Sequence, residues 1–368
     1  MICEDQNDTN NTMSSKSDGM NYVPQGGTER VVDDGEFVFA SVHLDHGHIN
    51  GQTKGLIQAG GVLKSVYDPD PEKIAAFLER FPEARPATSL DEILDDDSIH
   101  LVAAAAIPCD RGPIGVKVMD AGKDYFTDKA PFTTMNQLAD ARDAVARTGR
   151  KCFVYFGERL HNESAWHAGE LIRDGAIGRV LQVVGLAPHR LSKATRPDWF
   201  FRKQQYGGIL TDIASHQFEQ FLHYTAARDA TVNFARVANF ANADTPELED
   251  FGEASLTMDN GASCYLRVDW FTPSGQSTWG DGRTFVLGDR GSMELRKYTD
   301  VARDPTGDII FISDSDGERE IPCSGKVGFP FFGQLILDVL NRTEVAMVQE
   351  HAFMAAELSL RAQAMADA

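Results

Sequence analysis

Between Glu36 and Phe156, short apolar runs alternate with segments of helical spacing, and this narrows the possible folds more than any other feature of the chain. Phe37-Val38-Phe39-Ala40-Ser41-Val42 is a strand-length, largely apolar run, as expected of a parallel strand covered on both faces. Val62 to Tyr67, Leu101 to Ile107 and Lys151 to Phe156 repeat the pattern. Between them Ile74, Phe77, Leu78 and Phe81 fall at i, i+3, i+4 and i+7, one apolar stripe of a helix. Ser89 with Glu92, and Thr134 with Gln137, have the spacing of capping boxes that open two further helices. Repeated β-α units build a doubly wound parallel sheet, expected over residues 35–156.

The rhythm then changes. Helices are expected from Ala165 to Asp174 and from Asp212 to Tyr224. Asp259-Asn260-Gly261 and Gly288-Asp289-Arg290-Gly291 each separate two strand-like runs and read as hairpin turns, with Asn-Gly tolerating positive φ at both turn positions. Residues 157–345 are thus expected to form an α+β domain with a large open, mainly antiparallel sheet, followed by a helix over 346–368. A cleft should lie between the two domains, at the carboxyl ends of the parallel strands. Residues 1–34 are rich in Asn, Asp, Ser and Gly and poor in large apolar groups, the composition of a disordered tail, with Met13 or Met20 as alternative translation starts.

Charge excludes several classes. With 55 acidic against 35 basic residues, the formal net charge of -20 argues against nucleic acid and against an anionic membrane surface. The longest apolar run, Leu101 to Ile107, is too short to span a bilayer. Five scattered cysteines without a CxxC pair fit reduced thiols, and hence the cytoplasm.

If the first domain holds a dinucleotide, its pyrophosphate belongs at the turn Ala40-Ser41-Val42-His43-Leu44-Asp45-His46-Gly47-His48. That turn lacks the G-x-G-x-x-G pattern. Ser41, Val42, His43, Asp45 and His46 are the candidate cofactor contacts, with polar donors in place of glycine amides. The three histidines and Asp45 also admit a metal-cluster reading, but their spacing matches no strong ligand set, and no metal is assigned. Asp68 ends the second strand, where a carboxylate can accept from a ribose diol and would repel a 2′-phosphate, favouring NAD over NADP; Asp68-Pro69-Asp70-Pro71 is equally good turn chemistry. Ile107 and Pro108 close the most buried strand, beside the expected nicotinamide ribose. Lys129 sits at another strand end, where an ammonium in a desolvated cleft can steady a substrate oxygen. Asp212 and His216, four apart, would share one helix face, with His216 able to accept and return an alcohol proton. His189, Arg190, Trp199, Phe200 and Arg202 are candidates for a pocket that takes a polyhydroxylated ring.

Ala121-Gly122-Lys123 with Asp128-Lys129-Ala130-Pro131, Gly207-Gly208 with Asp212 and His216, Asp68-Pro69-Asp70, and Glu357-Leu358-Ser359-Leu360 together resemble the Gfo/Idh/MocA oxidoreductases, from about Glu36 to the end. The resemblance implies a Rossmann domain, a second domain whose open sheet mediates homodimers or homotetramers, and NAD(P)-linked hydride transfer at a CH–OH carbon of a small sugar or polyol. It implies that Lys129 binds the substrate hydroxyl and nicotinamide ribose, that Asp212 orients substrate and that His216 is the acid/base. Arg159 and Asn162 stand where the family often has an Arg and an Asn lining the cleft. Two departures stand out: Ala130 separates Lys129 from Pro131, and Ala40, Val42 and Asp45 take the places of the fingerprint glycines. They leave open a sugar-modifying enzyme with tightly held cofactor or metal, and a non-catalytic ligand sensor of the same fold.

Overall fold

Six parallel strands form the first sheet: β1 (Val38–Val42), β2 (Val62–Tyr67), β3 (Arg85–Pro86), β4 (Leu101–Ala104), β5 (Asp124–Asp128) and β6 (Cys152–Tyr155), in the order β3-β2-β1-β4-β5-β6. The computed structural model describes residues 19–24, 26–301, 303–304 and 306–368. Helices α1 (His48–Gln58), α2 (Pro71–Leu78), α3 (Leu90–Leu94), α4 (Pro108–Asp120) and α5 (Met135–Thr148) make the crossovers. Ser89 Oγ accepts the Glu92 N–H at 3.1 Å, and Thr134 Oγ1 accepts that of Gln137 at 3.2 Å, so both capped helices start where the spacing places them. The returning groups reach one residue further back, Glu92 to the Thr88 N–H and Gln137 to the Thr133 N–H.

The second domain opens with α6 (Gly157–Leu160) and α7 (Glu163–Arg173), and carries α8 (Lys203–Tyr206), α9 (Ile209–Asp212) and α10 (Ser215–Thr225) after its first strand. Its sheet comprises β7 (Val180–Pro188), β8 (Ala230–Ala238), β9 (Phe251–Met258), β10 (Ser263–Asp269), β11 (Arg283–Gly288), β12 (Ser292–Arg296), β13 (Ile309–Asp314) and β14 (Gly317–Pro322), in the order β14-β13-β12-β11-β7-β10-β9-β8. Only β7 and β10 pair in parallel; the other neighbours are antiparallel. The fold is the expected one. Helices α11 (Pro330–Asn341) and α12 (Gln349–Ala366) then return to the first domain.

Parity sorts the first sheet into two cores. Phe39, Ala103, Phe126 and Val154 meet Leu56 of α1 and Phe331 and Phe332 of α11. Ala40, Val42, Val102 and Ala104 meet α4, α5 and Phe353, Ala356 and Leu360 of α12. In the second sheet, α10 and α12 cover one face, while Phe234, Phe285 and Leu287 lie exposed.

Three local expectations are corrected. The tail is not featureless to residue 34: Gly19–Asn21 forms a 3-10 turn, Met20 and Val32 are buried, and the Val31 N–H donates to Ala59 O at 3.0 Å. Residues 1–18 lie outside the described residues. The single helix from Asp212 to Tyr224 is two pieces, α9 and α10. In the Asn260-Gly261 turn only Gly261 takes a positive φ (88°), because Met258 N–H and Ala262 O close a three-residue loop.

Gly55 lets α1 approach α11, since a Cβ there would strike the ring of Phe332. Gly55→Val is therefore expected to lower stability by about 1–3 kcal/mol, read as a reduced urea midpoint at unchanged m-value. An unchanged midpoint would mean that the two helices do not pack at this residue.

Candidate active site at the domain boundary

Lys129 follows the last residue of β5, and its Nζ donates to Asp212 Oδ1 at 2.8 Å across the boundary between the domains. The Lys129–Ala130 peptide is cis. Asp212 ends α9, which starts after Gly207 and Gly208, at φ of 90° and 91°. Beyond the left-handed backbone, Gly208 has no room for a Cβ against Gln363 of α12, whose Oε1 accepts the Leu210 N–H at 3.0 Å. The glycine pair thus sets the entry of α9. His216 lies on the next helix, buried, with its Nδ1 unpartnered among the described residues. Asp212 and His216 line the same cavity, but they reach it from two helices separated by a break rather than from one helix face.

Lys129, Asp212 and His216 line one cavity of about 580 Å³ together with His46, His48, His161, His189, Glu158, Arg196, Phe200, Trp270, Trp279 and Tyr298. Burial holds the imidazoles of His46, His189 and His216 well below the ordinary histidine pKa, with the charge of Lys129 adding to the effect, and lowers His161 to about 3. At neutral pH these rings are uncharged donors and acceptors, a lining suited to hydroxyl groups rather than to an ionic ligand.

Beneath the cavity floor, Asp128 is fully buried. Its Oδ1 accepts from the Lys129 N–H (2.8 Å) and faces His48 Nδ1 (2.9 Å); its Oδ2 accepts from Arg111 Nη2 (3.1 Å) and faces His46 Nδ1 (3.3 Å). Burial alone would raise the Asp128 pKa, but His48 and Arg111 outweigh it and hold the carboxyl well below its usual range. His46, His48 and Asp128 bring donor atoms within 4.8 Å of one another, a set able to hold a metal ion. Protein groups already fill both carboxylate oxygens, and the fixed charge of Arg111 opposes a cation there.

The first turn fits a dinucleotide at its ends better than at its middle. Asp68 ends the β2 side of the crevice, buried, with its carboxylate accepting from the Leu44 N–H (2.6 Å) and the Asp70 N–H (2.8 Å). Ile107 and Pro108 open α4 beside Lys129 in the adjoining loop. Between them the turn runs from His43 to Gly47, and His43 takes the left-handed conformation (φ 51°) that glycine would otherwise supply, so the turn keeps a tight shape without its glycines. Ser41 and Val42 lie in β1, not in the turn; the Ser41 hydroxyl is spent on Thr53 at 2.8 Å. Asp45 is paired with Lys73 at 2.6 Å, which offsets its charge near an anion.

The expected substrate residues divide. His189 is in the cavity, its Nδ1 against Ala187 O at 3.0 Å and its ring 4.5 Å from that of Trp279. Phe200 lines it too, and Trp199 packs behind, 6.4 Å from His46. Arg159 does not: it is buried in an ion pair with Glu219, to which His351 also bonds. Asn162 is spent capping α7, accepting from the Ala165 N–H. Arg190 donates to the carbonyls of Gln276 and Thr278, and Arg202 pairs with Glu247 at the exposed surface. Sequence reading missed Arg196, which stacks over Phe200 and Trp270, and the cavity residues Gly19, Met20, Tyr22 and Pro24. Met20 and Tyr22 in a polar tail were the available signal.

Residues 38–156 match the oxidoreductase family with an NAD-binding Rossmann fold, and residues 166–294 match the GFO/IDH/MocA C-terminal domain. The chain belongs to the Gfo/Idh/MocA family. Its first domain is the family's NAD-binding Rossmann domain. A structure from Erwinia carotovora atroseptica SCRI1043, proposed to be an oxidoreductase, is similar at 46% identity and a TM-score of 0.87, covering 90% of this chain and 99% of that one. Two curated relatives are D-xylose dehydrogenase of Paenarthrobacter nicotinovorans, 28% identical over 39% of this chain, and scyllo-inositol 2-dehydrogenase (NAD(+)) of Bacillus subtilis strain 168, 24% identical over 55%. The matches span only 38% and 56% of those relatives' lengths.

Neutral burial of the histidines has a consequence for stability. Between the unfolded pKa of about 6.5 and the folded value of about 3, His161 takes up a proton only when the chain unfolds, so its contribution is intact above that window and lost as pH falls through it. His46, His189 and His216 act in the same direction. The unfolding free energy from urea titrations is expected to drop from pH 7.5 to pH 5, its slope approaching about 1.4 kcal/mol per pH unit for each such histidine below about pH 6.5. A His161→Phe variant should show a shallower slope; an equal slope would place that proton elsewhere.

Proposed function

We propose that this protein is an NAD-linked dehydrogenase that moves a hydride reversibly between nicotinamide and a secondary alcohol or ketone of a sugar, polyol or sugar derivative. The observation that carries the proposal is the convergence of Lys129, Asp212 and His216, from the end of β5, α9 and α10, on one cavity. The relatives named for D-xylose and scyllo-inositol support a small hydroxylated substrate.

Asp68 would hold the adenosine ribose, the His43–Gly47 turn the pyrophosphate, and Ile107, Pro108 and Lys129 the nicotinamide ribose. NAD, when bound, supplies the hydride acceptor. The chain supplies the rest. Neutral His216 takes the hydroxyl proton through an imidazole nitrogen and returns it in the reverse direction. Lys129 directs its Nζ at the same oxygen and stabilises the negative charge that develops as the proton leaves. Asp212 fixes the Lys129 ammonium and remains free to orient an adjacent hydroxyl. Free Cys109, Cys152, Cys264 and Cys323 support a reducing, cytoplasmic setting. No helix among the described residues is long and apolar enough to cross a membrane. The exposed Phe234, Phe285 and Leu287 on the open sheet support a homodimer or homotetramer.

His216→Asn and Lys129→Ala are each expected to lower kcat by about 10²–10⁴-fold on the best substrate of a sugar and polyol panel, with NADH still bound. Because the His216 pKa is depressed, its base form persists as pH falls, so the acid limb of kcat/KM should lie below pH 6.5 and disappear in His216→Asn. Turnover unaffected by both substitutions would overturn the mechanism. The His46–His48–Asp128 cluster gives one specific rival, a metal-dependent enzyme, which stoichiometric metal in the purified protein would favour.

A further inference from the structure

The segment from Gly19 to Pro24 does not rest on the surface; it forms part of the active-site wall. Gly19, Met20, Tyr22 and Pro24 line the same cavity as Lys129, Asp212 and His216. Gly19 O accepts from His48 Nε2 at 3.2 Å, and Gly19 lies so close to Trp279 that a Cβ would be 3.1 Å from the indole. Tyr22 packs edge-on to Tyr298 and tilted to Trp279, each 5.8 Å between ring centres. On the other side, Met20 O and Asn21 come so near Gly47 that a Cβ there would sit 2.5 Å from both. The chain beyond is tied down too, with Gly27 O accepting the Phe329 N–H at 3.0 Å.

The family matches begin at residue 38, so residues 19–24 precede both matched domains. The segment bridges Gly47 and His48 of the first domain to Trp279 and Tyr298 of the second, so it closes one side of the cleft between them.

We propose that residues 19–24 are a size-limiting wall that confines the substrate to a single-ring sugar or cyclic polyol and excludes glycosides carrying a second ring. The inference rests on the dehydrogenase reading above. The cavity, whose empty space of about 580 Å³ includes a part open to solvent, has to take the reacting ring, and Gly19, Met20, Tyr22 and Pro24 occupy one side of it. Discrimination of this kind is steric, so it should relax when the wall side chains are cut back.

The test compares kcat/KM for the best monosaccharide or inositol with that for its β-linked disaccharide or aryl glycoside. It uses the full chain, the full chain with Met20→Ala and Tyr22→Ala, and a form lacking residues 1–24. The ratio of large to small substrate is expected to rise about tenfold or more in both altered forms, at saturating NAD. An unchanged ratio overturns the proposal. An equal rise for both substrates also overturns it, because the segment would then be a plug rather than a sieve. If no form oxidises any sugar, the dehydrogenase reading fails. The wall is then judged by thermal shift with the same two ligand sizes, and by iodide quenching of the emission lost in Trp279→Phe. Quenching that does not increase without residues 19–24, or a larger ligand that still fails to bind, overturns the wall.

Discussion

Asp128 is the point on which the site turns. One buried carboxylate at the end of β5 gathers Arg111 from α4, the Lys129 N–H and the two imidazoles at the start of α1. Arg111, with no exposed surface, also donates to the carbonyls of Ala106, Lys129 and Ala130, so the backbone that aims Lys129 is gripped from both directions. A buried ion pair contributes little net stability, but removing one partner strands the other charge at a cost of about 3–5 kcal/mol. Its value here lies in geometry: Lys129, the first turn and the loop before α4 are positioned by a single group.

Charge is managed differently above that floor. Most of the cavity histidines are kept neutral by burial, while the cationic groups are already committed, Lys129 to Asp212 and Arg196 to the carbonyls of Leu191 and Arg190. A cavity so arranged discriminates by the direction of its hydrogen bonds, since a hydroxyl both gives and accepts them and a carboxylate or phosphate does not. The strongly acidic surface therefore gives no guide to the character of the site.

Period and caps made the scaffold legible. Burial of β1, β4 and β5 on both faces, and the Ser89 and Thr134 caps, follow from local chemistry and stand where the residues place them. Lys129, Asp212 and His216 were legible because strand ends and the Gly207–Gly208 step are local too. Arg159 was not, because its partner Glu219 stands 60 positions away and nothing near Arg159 announces a buried ion pair. Residues 19–24 escaped for another reason. Composition measures whether a segment can build a core of its own, whereas Met20 and Tyr22 only fill space that two finished domains provide.

Helix α12 runs beside both domains at once. At its first residue, Gln349 exchanges two hydrogen bonds with the main chain of Cys152, extending the polar pairing of the β6 edge. Near its other end, Gln363 accepts the Leu210 N–H at the entrance to α9 and donates to Glu249. Eighteen residues of α-helix span about 27 Å as a single stiff rod. The rod behaves as a brace: swinging one domain open against the other would break contacts at both of its ends together.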